Sequence, residues 1–221
     1  MRKKYDAVLF DFDGTVADTG MGIFNGVYHV LDAFGIEPPE ADELRYFIGP
    51  PLHDSFKTVL GFDAETCDSA IIKYREYYSS KGIFELTIYD GMEDLFRKLK
   101  SKNIKVGIAS TKPEVFLHRI VDYFNLKEIF DVVEGSDITN MNSDKTEIIL
   151  RAIEKMNLTE GSKVLMAGDR HYDINGAKGA GIDSVGVLFG YGSREEIIDA
   201  GANYLAEIPE DIFKIVVGGE D

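Results

Sequence analysis

A parallel α/β sheet with a helical segment inserted after its first strand is the fold these 221 residues predict. Three features carry the prediction. The apolar run Tyr5 to Phe10 stands alone at the start of the chain. From residue 84 onward, short β-rich runs alternate with helical patterns, which calls for parallel strands joined by crossover helices. Between these two regions, residues 18 to 83 show helical spacing and no β-rich run.

Each element has its own reason. Tyr5 to Phe10 is a short apolar run closed by Asp11-Phe12-Asp13-Gly14-Thr15, and so reads as a buried strand ending in a tight turn. Phe24, Val27, Tyr28 and Leu31 fall at i, i+3, i+4 and i+7, a helix signature. Leu44 to Phe47, Leu52 to Leu60 and Ala64 to Tyr78 also read as helical, with Asp63 as the N-cap of the last. Ile104 to Ala109 is a strand. Pro113 to Phe124 is a helix with Phe116, Ile120 and Phe124 on one stripe; its proline suits the first helical position, where a missing N–H costs nothing. Asp131 to Val133 is a short strand, and Lys145 to Met156 a helix burying Ile149, Ile153 and Met156. Lys163 to Ala167 is a strand, followed by a small-residue helix around Ile174 to Ala180. Ser184 to Leu188 and Arg194 to Ala200 complete the alternation as strand and acidic helix. The division expected is an α/β unit, 1–17 with 84–221, interrupted by a helical unit, 18–83.

Composition narrows the function. A net charge of −15 argues against nucleic acid or an anionic membrane surface as partner, because both would repel the chain. An anionic substrate would need a local cation and well-placed lysines. Cys67 is the one cysteine, so no intrachain disulfide is possible, which suits a reducing compartment. Met1-Arg2-Lys3-Lys4 opens like a signal peptide, but the apolar run after it is interrupted by Asp6 and ends at Asp11, too early for a signal core. No stretch approaches the ~20 apolar residues of a membrane helix. The expected location is the cytoplasm. The sequence carries no reading of oligomeric state.

Polar groups suited to a phosphate and a metal follow the strands in four places. Asp11 and Asp13, at i and i+2, can face the same way at a strand end. Ser110 and Thr111 follow Ile104 to Ala109, and Lys145 opens a helix after the turn Asn142-Ser143-Asp144. Asp169 and Asp173 lie in Gly168-Asp169-Arg170-His171-Tyr172-Asp173, after the strand Lys163 to Ala167. In a parallel sheet all four segments gather at the carboxyl edge, where open α/β folds bind ligands.

In that order and spacing, these segments resemble the four motifs of the haloacid dehalogenase-like hydrolases, along nearly the whole chain. Ser110-Thr111-Lys112-Pro113 and Gly168-Asp169 through Gly181-Ile182 look most like the phosphoglycolate-phosphatase-like branch. The resemblance implies a Rossmann-like core, a helical cap at 18–83 and a phosphatase acting on a small phosphorylated metabolite. It makes Asp11 the nucleophile, forming an aspartyl-phosphate, and Asp13 the general acid and base. Mg2+ would be held by Asp11, the Asp13 backbone carbonyl, Asp169 and the substrate, with Asp173 in support. Gly14 would let the backbone approach the phosphate, and Ser110 or Thr111, with Lys145, would hold its oxygens. Motif alignment favours Ser110 over Thr111. Gly49-Pro50-Pro51-Leu52 resembles the family's cap loop, and Arg45, His53 and Lys57 on either side of it would contact the leaving group.

Bland readings stand beside these. Asp173 could be an N-cap, and Arg45, His53 or Lys57 a solvated helix residue. His171 reads as a surface loop residue, and His29 and His118 as helix-surface or structural. Lys145 near a helix start is unfavourable for the dipole, so a functional reason is expected. Gly176, Gly179 and Gly181 sit in and after a helix, the wrong place for a dinucleotide fingerprint. Asp13 separates phosphate-ester enzymes from the dehalogenases, which have a different residue there. A 5′-nucleotidase, a pyrophosphatase and a β-phosphoglucomutase-type enzyme share the machinery, and Thr15 leans toward hydrolysis because family mutases often carry Val there.

Overall fold

The computed structural model describes residues 4–138 and 144–219; the turn expected at Asn142-Ser143-Asp144 thus falls, except for Asp144, outside the described residues. The chain divides into two units, one of residues up to Ala17 with Ile88 onward, the other Asp18–Thr87.

The first unit is built on a six-stranded sheet. Strand β1 (Ala7–Phe10) leads to β2 (Ala17–Asp18), which pairs with β3 (Thr87–Ile88) in a separate two-stranded sheet where the chain leaves and re-enters the unit. The remaining strands are β4 (Lys105–Pro113), β5 (Val132–Ser136), β6 (Val164–Gly168), β7 (Asp183–Val187) and β8 (Tyr204–Ala206). Their order is β5-β4-β1-β6-β7-β8, all parallel. The chain builds outward on one side of β1 and then crosses to the other, so the order reverses at β1, where such sheets open a crevice.

The strands read as near-continuous hydrophobic runs because both faces are covered. Ala7 and Leu9 pack with Ile148, Ile149, Ala152 and Ala177 on one face. On the other, Phe10 meets Phe96 edge-on at 5.3 Å, and Phe96 meets Phe130 at 5.2 Å.

The helical unit holds α1 (Gly20–Phe34), α2 (Ala41–Leu44), a 3-10 turn (Arg45–Phe47), α3 (Leu52–Leu60), α4 (Ala64–Tyr78) and a second 3-10 turn (Gly82–Phe84). It runs past residue 83 to Thr87. Helices α3 and α4 keep the bounds their periodicity predicts, and Asp63 caps α4 by accepting from the Thr66 N–H at 2.8 Å. A Cβ at Gly26 would stand 2.5 Å from the Tyr74 ring, so this glycine lets α1 and α4 pack closely.

The sheet is flanked by α5 (Met92–Ser101), α6 (Glu114–Tyr123), α7 (Lys145–Lys155), α8 (His171–Gly179), α9 (Arg194–Asp199) and α10 (Pro209–Val217). Helices α2, α5 and α10 and strands β2, β3 and β8 are additions to the elements justified from the sequence. Strand β4 runs on to Pro113, which is the N-cap of α6 with ψ 128° rather than its first helical residue.

Candidate active site

Parallel register sets the level of each loop. Phe10 pairs with Ile108 of β4 and Ala167 of β6, so Ser110 and Asp169 both lie two residues past its partners. The Asp11 N–H continues the ladder by donating to the Ala167 carbonyl at 2.9 Å. Past Asp11 the chain turns back, with the N–H groups of Thr15, Val16 and Ala17 all donating to the Phe12 carbonyl. Gly14 sits at φ +82° in that turn.

The structure brings Asp11, Lys145, Asp169 and Asp173 together. Lys145 Nζ lies 2.5 Å from Asp11 Oδ1 and 2.7 Å from Asp173 Oδ1, with the lysine side chain 6% exposed. Lys145 is the first residue of α7, and this ion pair supplies the reason for a cation at a helix start. Its stem runs against α8: a Cβ at Gly176 would stand 2.7 Å from Lys145 Cγ, and one at Gly179 2.6 Å from Thr146 Oγ1. The two glycines set aside as a dinucleotide signal are thus close-packing positions between α7 and α8. Asp173, in the first turn of α8, accepts from the Arg170 N–H at 3.1 Å. It therefore satisfies a helix-start donor and pairs with Lys145 at once.

Asp169 is fully buried. The Tyr191 N–H donates to its Oδ2 at 2.8 Å, and the Thr15 hydroxyl to its Oδ1 at 3.3 Å. Three glycines make room for it. A Cβ at Gly14, Gly190 or Gly192 would overlap Asp169 itself. The space beside Gly14 is thus taken by Asp169 and the Tyr191 ring.

Asp13 turns elsewhere. Its carboxylate is held by Lys112, whose Nζ lies 2.8 and 3.0 Å from the two oxygens. Ser110 is buried and its Oγ accepts from the Lys112 N–H at 3.3 Å; Thr111 between them is exposed. Arg45, His53 and Lys57 lie on the helical unit, Arg45 and Lys57 exposed and His53 half-buried on α3. His171 is not in a loop: it opens α8 with Nδ1 2.6 Å from Glu196 Oε1. His29 faces Glu76 at 3.7 Å and His118 faces Glu114 at 3.7 Å, both on helix surfaces.

Burial and mutual charge set the electrostatics of the cluster. Burial pushes Asp11 up to about 6; Lys145 opposes, while Asp173 and Asp13 add to the rise. Burial and the charges of Asp173 and Asp11 push Asp169 up to about 8, against the Tyr191 N–H and Arg170. Burial works to lower Lys145, but Asp11 and Asp173 outweigh it and leave the ammonium raised. Ligand oxygens of Asp11, Asp169 and Asp173 lie within 4.8 Å of one another. Three buried carboxylates at that spacing fit a small hard dication, which would relieve the desolvation and the mutual repulsion together.

Three features here lay outside the sequence reading. Lys112 was quoted only as part of a segment, although its position two residues after Ser110 puts both on one face of a strand. Thr15 as a donor to Asp169 and the Phe189-Gly190-Tyr191-Gly192 loop were also missed, although two glycines flanking an aromatic mark a close backbone approach.

Comparison with known proteins places this geometry. Residues 8–187 match the haloacid dehalogenase-like hydrolase family. A 5′-nucleotidase of Pseudomonas aeruginosa is 34% identical over 194 residues, 88% of this chain and 87% of that protein. The tyrosine-protein kinase PtkA of Mycobacterium tuberculosis is 33% identical, over 87% of this chain and 65% of that protein. A crystal structure described as a predicted phosphatase from Clostridium acetobutylicum shares 39% identity and a TM-score of 0.88, covering 97% of this chain and 99% of that chain.

Proposed function

The chain belongs to the haloacid dehalogenase-like hydrolases and is an enzyme of their phosphatase type, and from that premise we propose that it hydrolyses a small phosphate monoester, with Mg2+, through an aspartyl-phosphate on Asp11. The observation that carries this reading is the buried cluster at the end of β1, where Lys145 Nζ sits 2.5 Å from Asp11 Oδ1 beside Asp169 and Asp173. An ammonium there accompanies an anionic substrate into a chain of net charge −15.

Asp11 attacks phosphorus; the Asp11–phosphorus bond forms as the bond to the leaving oxygen breaks. Asp13 gives its proton to that oxygen, and then takes one from the water that displaces Asp11 from phosphorus. Lys145 and Ser110 hold the phosphoryl oxygens and offset the charge that gathers on them. Asp11, Asp169, Asp173 and the Asp13 carbonyl would hold Mg2+, which when bound would supply charge neutralisation for the phosphate and the buried carboxylates. Arg45, His53 and Lys57 of the helical unit, read as a cap, recognise the leaving group. The similarity to a 5′-nucleotidase favours a nucleoside monophosphate within the substrate class, ahead of phosphoglycolate.

The test is phosphate release from nucleoside monophosphates, phosphoglycolate, pyrophosphate and hexose phosphates, with Mg2+ and with chelator. Release should require the metal and fall on the order of 10⁴-fold in Asp11→Asn. Release that is unchanged in Asp11→Asn would remove the nucleophile assignment.

A further inference from the structure

Lys112 is a buried cation that the phosphatase reading leaves without a role. Its side chain is 4% exposed, less than the 17% of the Asp13 carboxylate it contacts. Its backbone is fixed on several sides: its N–H donates to Ser110 Oγ, Pro113 follows with φ −53°, and a Cβ at Gly135 would stand 2.6 Å from its carbonyl oxygen. The ammonium is therefore delivered from a rigid strand end. Asp13 lies in the turn between Phe12 and Gly14, whose backbone does not by itself choose a rotamer for its carboxylate.

Direction separates Lys112 from Lys145. An ammonium that served the transferred phosphoryl group would face Asp11, as Lys145 does at 2.5 Å. Lys112 instead meets both oxygens of Asp13, at 2.8 and 3.0 Å. We propose that Lys112 is the positioning residue for Asp13, aiming its carboxylate for proton delivery to the leaving oxygen and proton removal from water, with no part in binding the phosphoryl group. This rests on the roles given to Asp11 and Asp13 above. An acid held within hydrogen-bond reach of the oxygen it protonates contributes roughly 10²–10⁴-fold, and displacement of about 1 Å forfeits much of that.

Leaving-group dependence tests it. An alkyl phosphate needs the proton from Asp13 in the first step, whereas p-nitrophenolate leaves without one. In Lys112→Gln, kcat for an alkyl phosphate should fall about 10²-fold with KM little changed. With p-nitrophenyl phosphate the first turnover should stay within about threefold of wild type, followed by slow turnover, since release from Asp11 still needs the base. Removing Lys112 strands a half-buried carboxylate and can unfold the protein, so a second comparison avoids the unpaired charge. Adding Lys112→Met to Asp13→Asn should change kcat less than about twofold, because the residue through which Lys112 acts is already disabled. A loss of the same factor in the Asp13→Asn background would overturn the proposal, as would a raised KM with the first turnover lost in proportion. Failure of the underlying reading looks different: wild type would then turn over no substrate, or Asp11→Asn would remain active.

Discussion

Asp169 accepts from donors on two loops and is boxed in by glycines on both, an arrangement that fixes the position of its carboxylate. Groups that orient a ligand to a metal typically carry ten- to hundredfold in affinity. Thr15→Val, which keeps the shape and removes the hydroxyl, should weaken Mg2+ or Mn2+ binding by about tenfold in calorimetry. Gly190→Ala should weaken it further, because its Cβ would overlap Asp169 and the Gly14 carbonyl; affinity equal to wild type in both variants would show that the cradle is only structural. At this scale the sequence was legible where residues follow a strand end, as Asp11, Ser110 and Asp169 do. It was opaque where a charged side chain is buried by partners distant in sequence. Lys112 finds Asp13 from 99 residues away, and Glu134, 1% exposed on β5, is paired with Arg151 and Lys155 of α7. Read along the chain, each of these has the look of an ordinary solvated charge.

Elements position these residues through their ends and their closest approaches. Glu196 on α9 ties that helix to the start of α8, accepting from the His171 N–H at 3.0 Å, Arg170 Nε at 2.9 Å and the His171 ring. Burial works against its ionisation, but these donors prevail and hold its carboxyl at about 2, below the usual 4.5. A depressed carboxyl contributes stability that is complete above the unfolded value and is lost as pH falls through the folded one. Glu196→Gln should therefore lower stability at pH 7 by about 1–2 kcal/mol, with the gap closing between about pH 4.5 and 2 in denaturant titrations; a gap constant across that range would contradict the assignment. Gly176→Ala presses a methyl on the buried stem of Lys145. Overpacking of about 1–3 kcal/mol outweighs the roughly 1 kcal/mol gained from helix propensity, so both the melting temperature and activity should drop. Helices α3 and α4 were legible to the residue because apolar periodicity and a capping aspartate agree. Helix α5 was not assigned, although Met92, Leu95, Phe96 and Leu99 line its buried face. Strand β8, of three residues, is too short to carry a pattern.

Across the whole molecule, an acidic chain of net charge −15 must hold a dianionic ester beside buried carboxylates. The account answers this with Lys145 and a dication, so added Mg2+ should raise the melting temperature of the chelator-treated protein, by about 2.7 kcal/mol of stability at a hundred times Kd. Substituting Ala for Arg45, His53 or Lys57 should alter KM among natural esters while leaving p-nitrophenyl phosphate within a few fold, since its leaving group asks little of specific contacts. The parallel sheet and the helical insertion were readable from alternation alone. The identity of the leaving group was not, because recognition of this kind depends on side chains that no local pattern marks. The central claim is that phosphate passes through Asp11. Rapid quench during turnover, followed by borohydride reduction and peptide mass spectrometry, tests it most directly. The account predicts Asp11 converted to homoserine in wild type only when substrate and Mg2+ are both present. Full phosphate release with Asp11 unmodified throughout turnover would contradict it.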